Sequence, residues 1–181
     1  MPSYGKTTGQ IFGLLAAGLM LGLTKDRAER RKLLEESDAL WLKLDRKQLY
    51  ANLERLKLQG LINLIQKRGG NEEVRLTNKG RARALEYHLE NLKVDTKGKW
   101  DKKWRMVLFD IPESKKKIRD SLRRKLKQLG FLEFQKSVFV FPYPCEDEIN
   151  FIINFFNIPD HVFYIEAPIQ PDKELQKHFN V

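Results

Sequence analysis

The sequence predicts an α+β fold in two parts. Three helices, a two-stranded hairpin and a further helix come first, and a β-α-β-β-α-β unit follows. Three observations predict this. Leu49, Leu53 and Leu56 fall at i, i+4 and i+7, the spacing of a buried helical stripe, and Gly60 and a short apolar run come next. Ile118, Leu122, Leu126 and Leu129 repeat that pattern ahead of Gly130 and two more short apolar runs. Between them lies KVDTKGKWDKK, residues 93–103, polar and glycine-containing, which reads as a linker. The expected division is a first domain over 1–92, the linker 93–103, a second domain over 104–167 and a tail over 168–181.

The chain has 181 residues, 34 basic and 24 acidic, for a formal charge of +10. With 41% hydrophobic residues it is a folding sequence and not a disordered basic tail. A single cysteine, Cys145, rules out an internal disulfide and a cysteine-based zinc cluster, and it suits a reducing cytoplasm. The positive balance points to a polyanionic partner, giving sign but not specificity. Residues 1–98 carry 19 basic and 12 acidic side chains, and residues 99–181 carry 15 and 12. The second half is polarised: 115–127 holds eight cations and one acid, whereas 144–181 holds two cations and seven acids.

The most apolar run, Ile11 to Leu23, has thirteen residues. Spanning a bilayer takes about 20, so the run reads as a buried first helix and no membrane partner is expected. A signal-peptide core after Lys6 is the alternative, but no A-x-A-like cleavage site precedes Lys25. Gly18 and Gly22 form a G-x-x-x-G pair, read as a close helix–helix contact in a soluble core.

The elements of the first half follow in order. The first helix is expected over 8–23. The second covers 26–37, with Leu33 and Leu34 as its apolar contacts. The third covers 45–59, with Asp45 as N-cap, and Gly60 ends it. Leu61 to Ile65 reads as a strand, Gly69-Gly70 allows a tight turn, and Glu73 to Leu76 returns. Thr77 caps a last helix reaching Leu92, with Leu85 and Leu89 at i and i+4.

Three helices and a hairpin in this order make a winged helix-turn-helix, which inserts its third helix into the major groove. Away from the leucine stripe that helix carries Lys47, Gln48, Ala51, Glu54 and Arg55, with Tyr50 on the flank. Lys47 and Arg55 suit phosphate or guanine edges, Gln48 suits adenine, and Ala51 permits close approach. Glu54 opposes a uniformly attractive face. At the hairpin tip Lys67 and Arg68 suit a phosphate or the minor groove. Double-stranded DNA is therefore the expected partner, and a solvated charged face is the plainer alternative.

In the second half Trp104 to Phe109 reads as a strand, and Asp110-Ile111-Pro112-Glu113 as a turn. Ser114 is the expected cap of a helix through Leu129. Strands are expected over 131–134 and 137–141, a helix over 146–156 and a last strand over 161–166. This is the ferredoxin-like order.

Val107-Leu108-Phe109-Asp110-Ile111-Pro112-Glu113, Lys127-x-x-Gly130-Phe131 and Gln135 to Val140 resemble two related families. One is the CRISPR-associated protein two family of adaptation-complex proteins and endoribonucleases. The other is the central domain of the PaaX repressors of phenylacetic acid catabolism. Phe141-Pro142-Tyr143-Pro144-Cys145-Glu146 and Leu14 to Gly18 make the chain more similar to PaaX. That resemblance implies a homodimeric transcriptional repressor whose ferredoxin-like domain places two winged helices on a palindromic site. The further C-terminal domain of that family has no counterpart in 168–181, so its acyl-CoA response is not carried over and any small-molecule effector stays unassigned.

The endoribonuclease resemblance makes Asp110 the candidate catalytic and magnesium-binding residue of an alternative reading, a metal-dependent nuclease or a CRISPR adaptation-type subunit. The plainer role for Asp110 is to cap its turn. Glu113 and Asp120 lie nearby without a motif, and no motif pairs His88, His161 or His178 with Cys145 or a serine. No cofactor is expected from the main reading. A basic track, Lys115, Lys116, Lys117, Arg119, Arg123 and Arg124, runs on with Lys125 and Lys127. It reads as a solvated helix, as a phosphate track, or as a partner of the acidic 144–181 segment.

Overall fold

The structure, a computed structural model, describes residues 6–23, 27–44, 46–67 and 72–181. The fold is α+β, as expected. The chain divides into two compact units, Met1–Asn91 and Leu92–Val181.

The first unit contains α1 (Lys6–Leu23), α2 (Arg27–Leu42), α3 (Arg46–Leu58), β1 (Ile62–Gln66), β2 (Glu72–Leu76) and α4 (Asn78–Asn91). Strands β1 and β2 pair antiparallel, Ile62 opposite Leu76 and Gln66 opposite Glu72. The core joins Ile11 and Phe12 of α1 to Leu44, to Leu53 and Leu56 of α3, and to Leu61 and Ile62. Burying each of these large side chains contributes about 1.5–3 kcal/mol relative to exposure. Among the described residues no helix is long and apolar enough to cross a membrane.

Two expectations fail in this unit. Helix α2 runs five residues past Ser37, and it buries Leu33 while Leu34 is half exposed. Adjacent helical positions lie about 100° apart, so one stripe cannot bury both. Gly18 is exposed, and a Cβ there would meet nothing within 4 Å. The close helix contact lies at Gly13 instead, where a Cβ would come 2.9 Å from Leu40 Cδ1 of α2. Asp45 and the Gly69-Gly70 turn lie outside the described residues.

The second unit contains β3 (Trp104–Phe109), α5 (Lys116–Gln128), β4 (Leu132–Gln135), β5 (Val138–Phe141), α6 (Glu146–Phe156), β6 (Val162–Ala167) and α7 (Lys173–Phe179). The strand order is β4-β5-β3-β6, all antiparallel, which is the ferredoxin-like sheet. Val107, Phe109 and Phe139 point to one face and are buried with Leu122 and Leu126 of α5 and Ile149, Ile152 and Ile153 of α6. Trp104, Met106 and Val140 point to the other, where α7 brings Leu175 and Phe179 against them. The expected tail is thus a helix packed on its own sheet, with Trp104 Nε1 donating to Asp172 Oδ2 at 3.1 Å.

Ser114 does not cap α5. A 3-10 turn, Glu113–Lys115, precedes the helix, and Lys115 is the N-cap without a side-chain hydrogen bond. Pro112 starts that turn: its carbonyl accepts the Lys115 N–H at 2.9 Å, so the chain winds before Ser114 could cap. The helix then ends as α3 does. Gly60 (φ +69°) and Gly130 (φ +93°) are left-handed, and Leu61 and Phe131 donate back to the Leu56 and Leu126 carbonyls at 3.0 Å. These are Schellman closures, with the apolar residue after each glycine buried.

Candidate nucleic-acid interface

Helix α3 is held from beneath by Leu53 and Leu56, both buried, and by half-buried Leu49. That fixes the opposite surface. Lys47, Gln48, Tyr50, Ala51 and Arg55 are all exposed there, Tyr50 to 69%. Glu54, which opposed an attractive face, is paired with Lys57 one turn on, at 3.5 Å.

The structure also shows a support the sequence did not disclose. Thr7 Oγ1 donates to Gln48 Oε1 at 3.3 Å, and Thr8 Oγ1 donates to Asn52 Oδ1 at 2.6 Å. Arg55 Nη2 donates to Thr8 Oγ1 at 3.2 Å, and Asn52 Nδ2 to the Gln48 carbonyl at 2.8 Å. Thr7 and Thr8 are buried. The start of α1 therefore orients two of the exposed polar side chains of α3.

The hairpin is anchored at its base. Thr77 Oγ1 donates to the Gly60 carbonyl at 2.7 Å and accepts the Gly80 N–H at 3.0 Å, so it caps α4 while tying it to the end of α3. Gly80 packs against the Leu61 carbonyl, where no side chain fits. At the outer end Lys67 Nζ lies 2.7 Å from Glu73 Oε2, and Arg75 binds the other oxygen. These two cations, Lys67 foremost, hold the Glu73 carboxyl below its ordinary range. Arg68 lies outside the described residues.

In the second unit the cations of α5 are engaged unequally. Lys116 and Arg119 face Glu113 at 3.6 and 2.7 Å. Arg123 and Lys127 hold Glu133, whose carboxyl is lowered, most by Lys127. Lys125, expected on a solvated face, is 6% exposed. Lys115 is half-buried, its Nζ 3.3 Å from His161 Nε2. Glu113 and Glu133 are thus acids that meet this helix.

Asp110 sits at the end of β3 with its backbone N–H donating to the His161 carbonyl at 2.9 Å. Its side chain is exposed and caps nothing among the described residues, so the capping role is not realised. No group of three His, Cys, Asp or Glu side chains suited to a metal ion occurs among the described residues. Among the described residues Asp110 therefore belongs to no such group within one chain. Cys145 is buried against Tyr164, its Sγ 3.9 Å from the hydroxyl, and burial pushes the thiol up to about 12.

Residues 97–178 match the family model of the PaaX protein central Cas2-like domain. Residues 97–178 form a PaaX-like domain. The match covers the ferredoxin-like sheet, both helices on its first face and nearly all of α7, so this C-terminal helix belongs to the PaaX-like domain. No curated protein matches the chain.

Proposed function

We propose that this PaaX-like protein is a sequence-specific DNA-binding transcriptional regulator, a repressor that works as a cytoplasmic homodimer by occupying an operator stoichiometrically. The observation that carries the reading is the exposed surface of α3, with Lys47, Gln48, Tyr50, Ala51 and Arg55 outward beside a hairpin that brings Lys67. A helix-turn-helix would present this surface to the major groove and the hairpin to the flanking backbone. Residues 1–98, with 19 cations to 12 acids, supply the attraction to phosphate.

The second unit supports the dimer. On the α7 face, Phe163 is paired with Leu108 and Ile165 with Met106 in the register of β3 and β6, so these four share one surface. Helix α7 covers the Trp104 end of that face, and Phe163 and Ile165 stay 61% and 42% exposed. An apolar surface on a chain of net charge +10 suits a second copy, because Met106, Leu108, Phe163 and Ile165 bring no cations against one another.

The test is binding to a pool of random duplexes with selection of the preferred sequences. Changing Lys67 and Arg68 to alanine is expected to weaken binding to every sequence and flatten its salt dependence, whereas Gln48→Ala shifts the preferred sequence. If both variants weaken all sequences equally, α3 is not the reading helix.

A further inference from the structure

Helix α5 has two polar flanks. At 100° per residue, with Leu122 and Leu126 turned to the sheet, positions 116, 119, 123 and 127 fall on one side and 117, 121 and 124 on the other. The first flank is neutralised by Glu113 and Glu133. The second is not. Lys117 and Arg124 are exposed and have no acidic partner within ion-pair distance among the described residues, and Arg124 Nη2 donates to Ser121 Oγ at 3.2 Å. Asp120 lies one turn from each of them and lines the same surface, without an ion pair among the described residues. Lys117, Ser121 and Arg124 line an open depression together with Asp120, Arg123 and Lys127, four cations to one acid, and Lys117 and Arg124 are separated by seven residues, or about 10.5 Å along the axis.

The chemistry of this flank is that of a phosphodiester contact: a point charge, a hydroxyl donor and a planar guanidinium that donates to two phosphate oxygens at once. We propose that the Lys117–Ser121–Arg124 flank of α5 binds the phosphate backbone of duplex DNA without regard to sequence. The proposal rests on the DNA-binding reading above and assigns the second unit a share of the contact.

The test uses the full chain and a random-sequence duplex, with affinity measured across a series of salt concentrations. Lys117→Ala/Arg124→Ala is compared with a charge-matched control at exposed sites elsewhere, Lys136→Ala/Lys173→Ala. The flank variant is expected to weaken binding and to reduce the slope of log K against log salt by about two, near 0.9 per lost phosphate contact. The control is expected to keep the wild-type slope. An unchanged slope in the flank variant, an equal reduction in the control, or a loss confined to single-stranded RNA overturns the proposal. A wild-type chain that binds no duplex at low salt overturns the DNA reading as well, an outcome distinct from wild-type binding that the flank variant retains in full.

Discussion

Arg105 holds Asp101 by two parallel hydrogen bonds, Nη1 to Oδ1 at 2.6 Å and Nη2 to Oδ2 at 2.7 Å. The guanidinium is 3% exposed and also donates to the Pro142 carbonyl at 2.9 Å and to Glu166 at 3.3 Å. It joins the end of the interdomain segment to strands β3 and β6. Arg105→Ala strips a partner from two carboxylates and a buried carbonyl, and is expected to cost about 2–4 kcal/mol. Urea unfolding followed by the fluorescence of Trp100 and Trp104, which touch beside this site, measures it.

The same pair sets part of the acid stability. Hydrogen bonding to Arg105 lowers the Asp101 carboxyl from 3.8 to about 2. The folded state binds this proton less tightly than the unfolded chain, so the contribution is complete above about pH 5 and is lost as pH falls from there through 2. Asp101→Asn is expected to be less stable than wild type at neutral pH, with the difference shrinking steadily below pH 4. A pH series of urea midpoints shows whether it does.

Two glycines should respond with opposite sign. A Cβ on Gly80 would lie 1.8 Å from the Leu61 carbonyl oxygen, a backbone atom that cannot move aside alone. Gly80→Ala is expected to destabilise the first unit by about 3 kcal/mol. Gly18→Ala, exposed in mid-helix with open space around it, is expected to stabilise by about 0.5–1 kcal/mol. Thermal unfolding of the two variants compares them.

Cys145 is 1% exposed, and burial pushes its thiol up to about 12. The thiolate needed for alkylation is therefore scarce and shielded. Iodoacetamide at pH 8 is expected to leave the native protein unmodified and to label it fully in urea, read by intact mass.

The open sheet face predicts its own disruption. Phe163→Glu, alone or with Ile165→Glu, places charge where two copies would meet, and is expected to turn a dimer into a monomer without unfolding the sheet, because both side chains already face solvent in one chain. Sedimentation with circular dichroism as the fold control tests it. A wild-type monomer at all concentrations sinks the dimer reading.

The elements were legible in the order of the residues. Helical periodicity with a glycine four residues past Leu56 and Leu126 placed α3 and α5, because the Schellman closure is local and only glycine readily takes its left-handed residue. Strand β3 and helix α6 fall on the predicted residues, β2 starts one residue earlier than expected, and the other strands start one residue later. The tertiary structure decided which like residues do what. Leu33 and Leu34 are adjacent and identical in type, and only packing turns one inward. The cations of α5 read alike in sequence, yet Glu113 and Glu133, brought up by a turn and a strand, neutralise one flank and leave Lys117 and Arg124 open. The bonds from Thr7 and Thr8 to α3 join residues 41 to 47 positions apart, and the docking of α7 joins Trp104 to Asp172. Local spacing encodes a period. It does not encode which distant partner a polar side chain meets, because that depends on how the packed elements bring the chain back on itself.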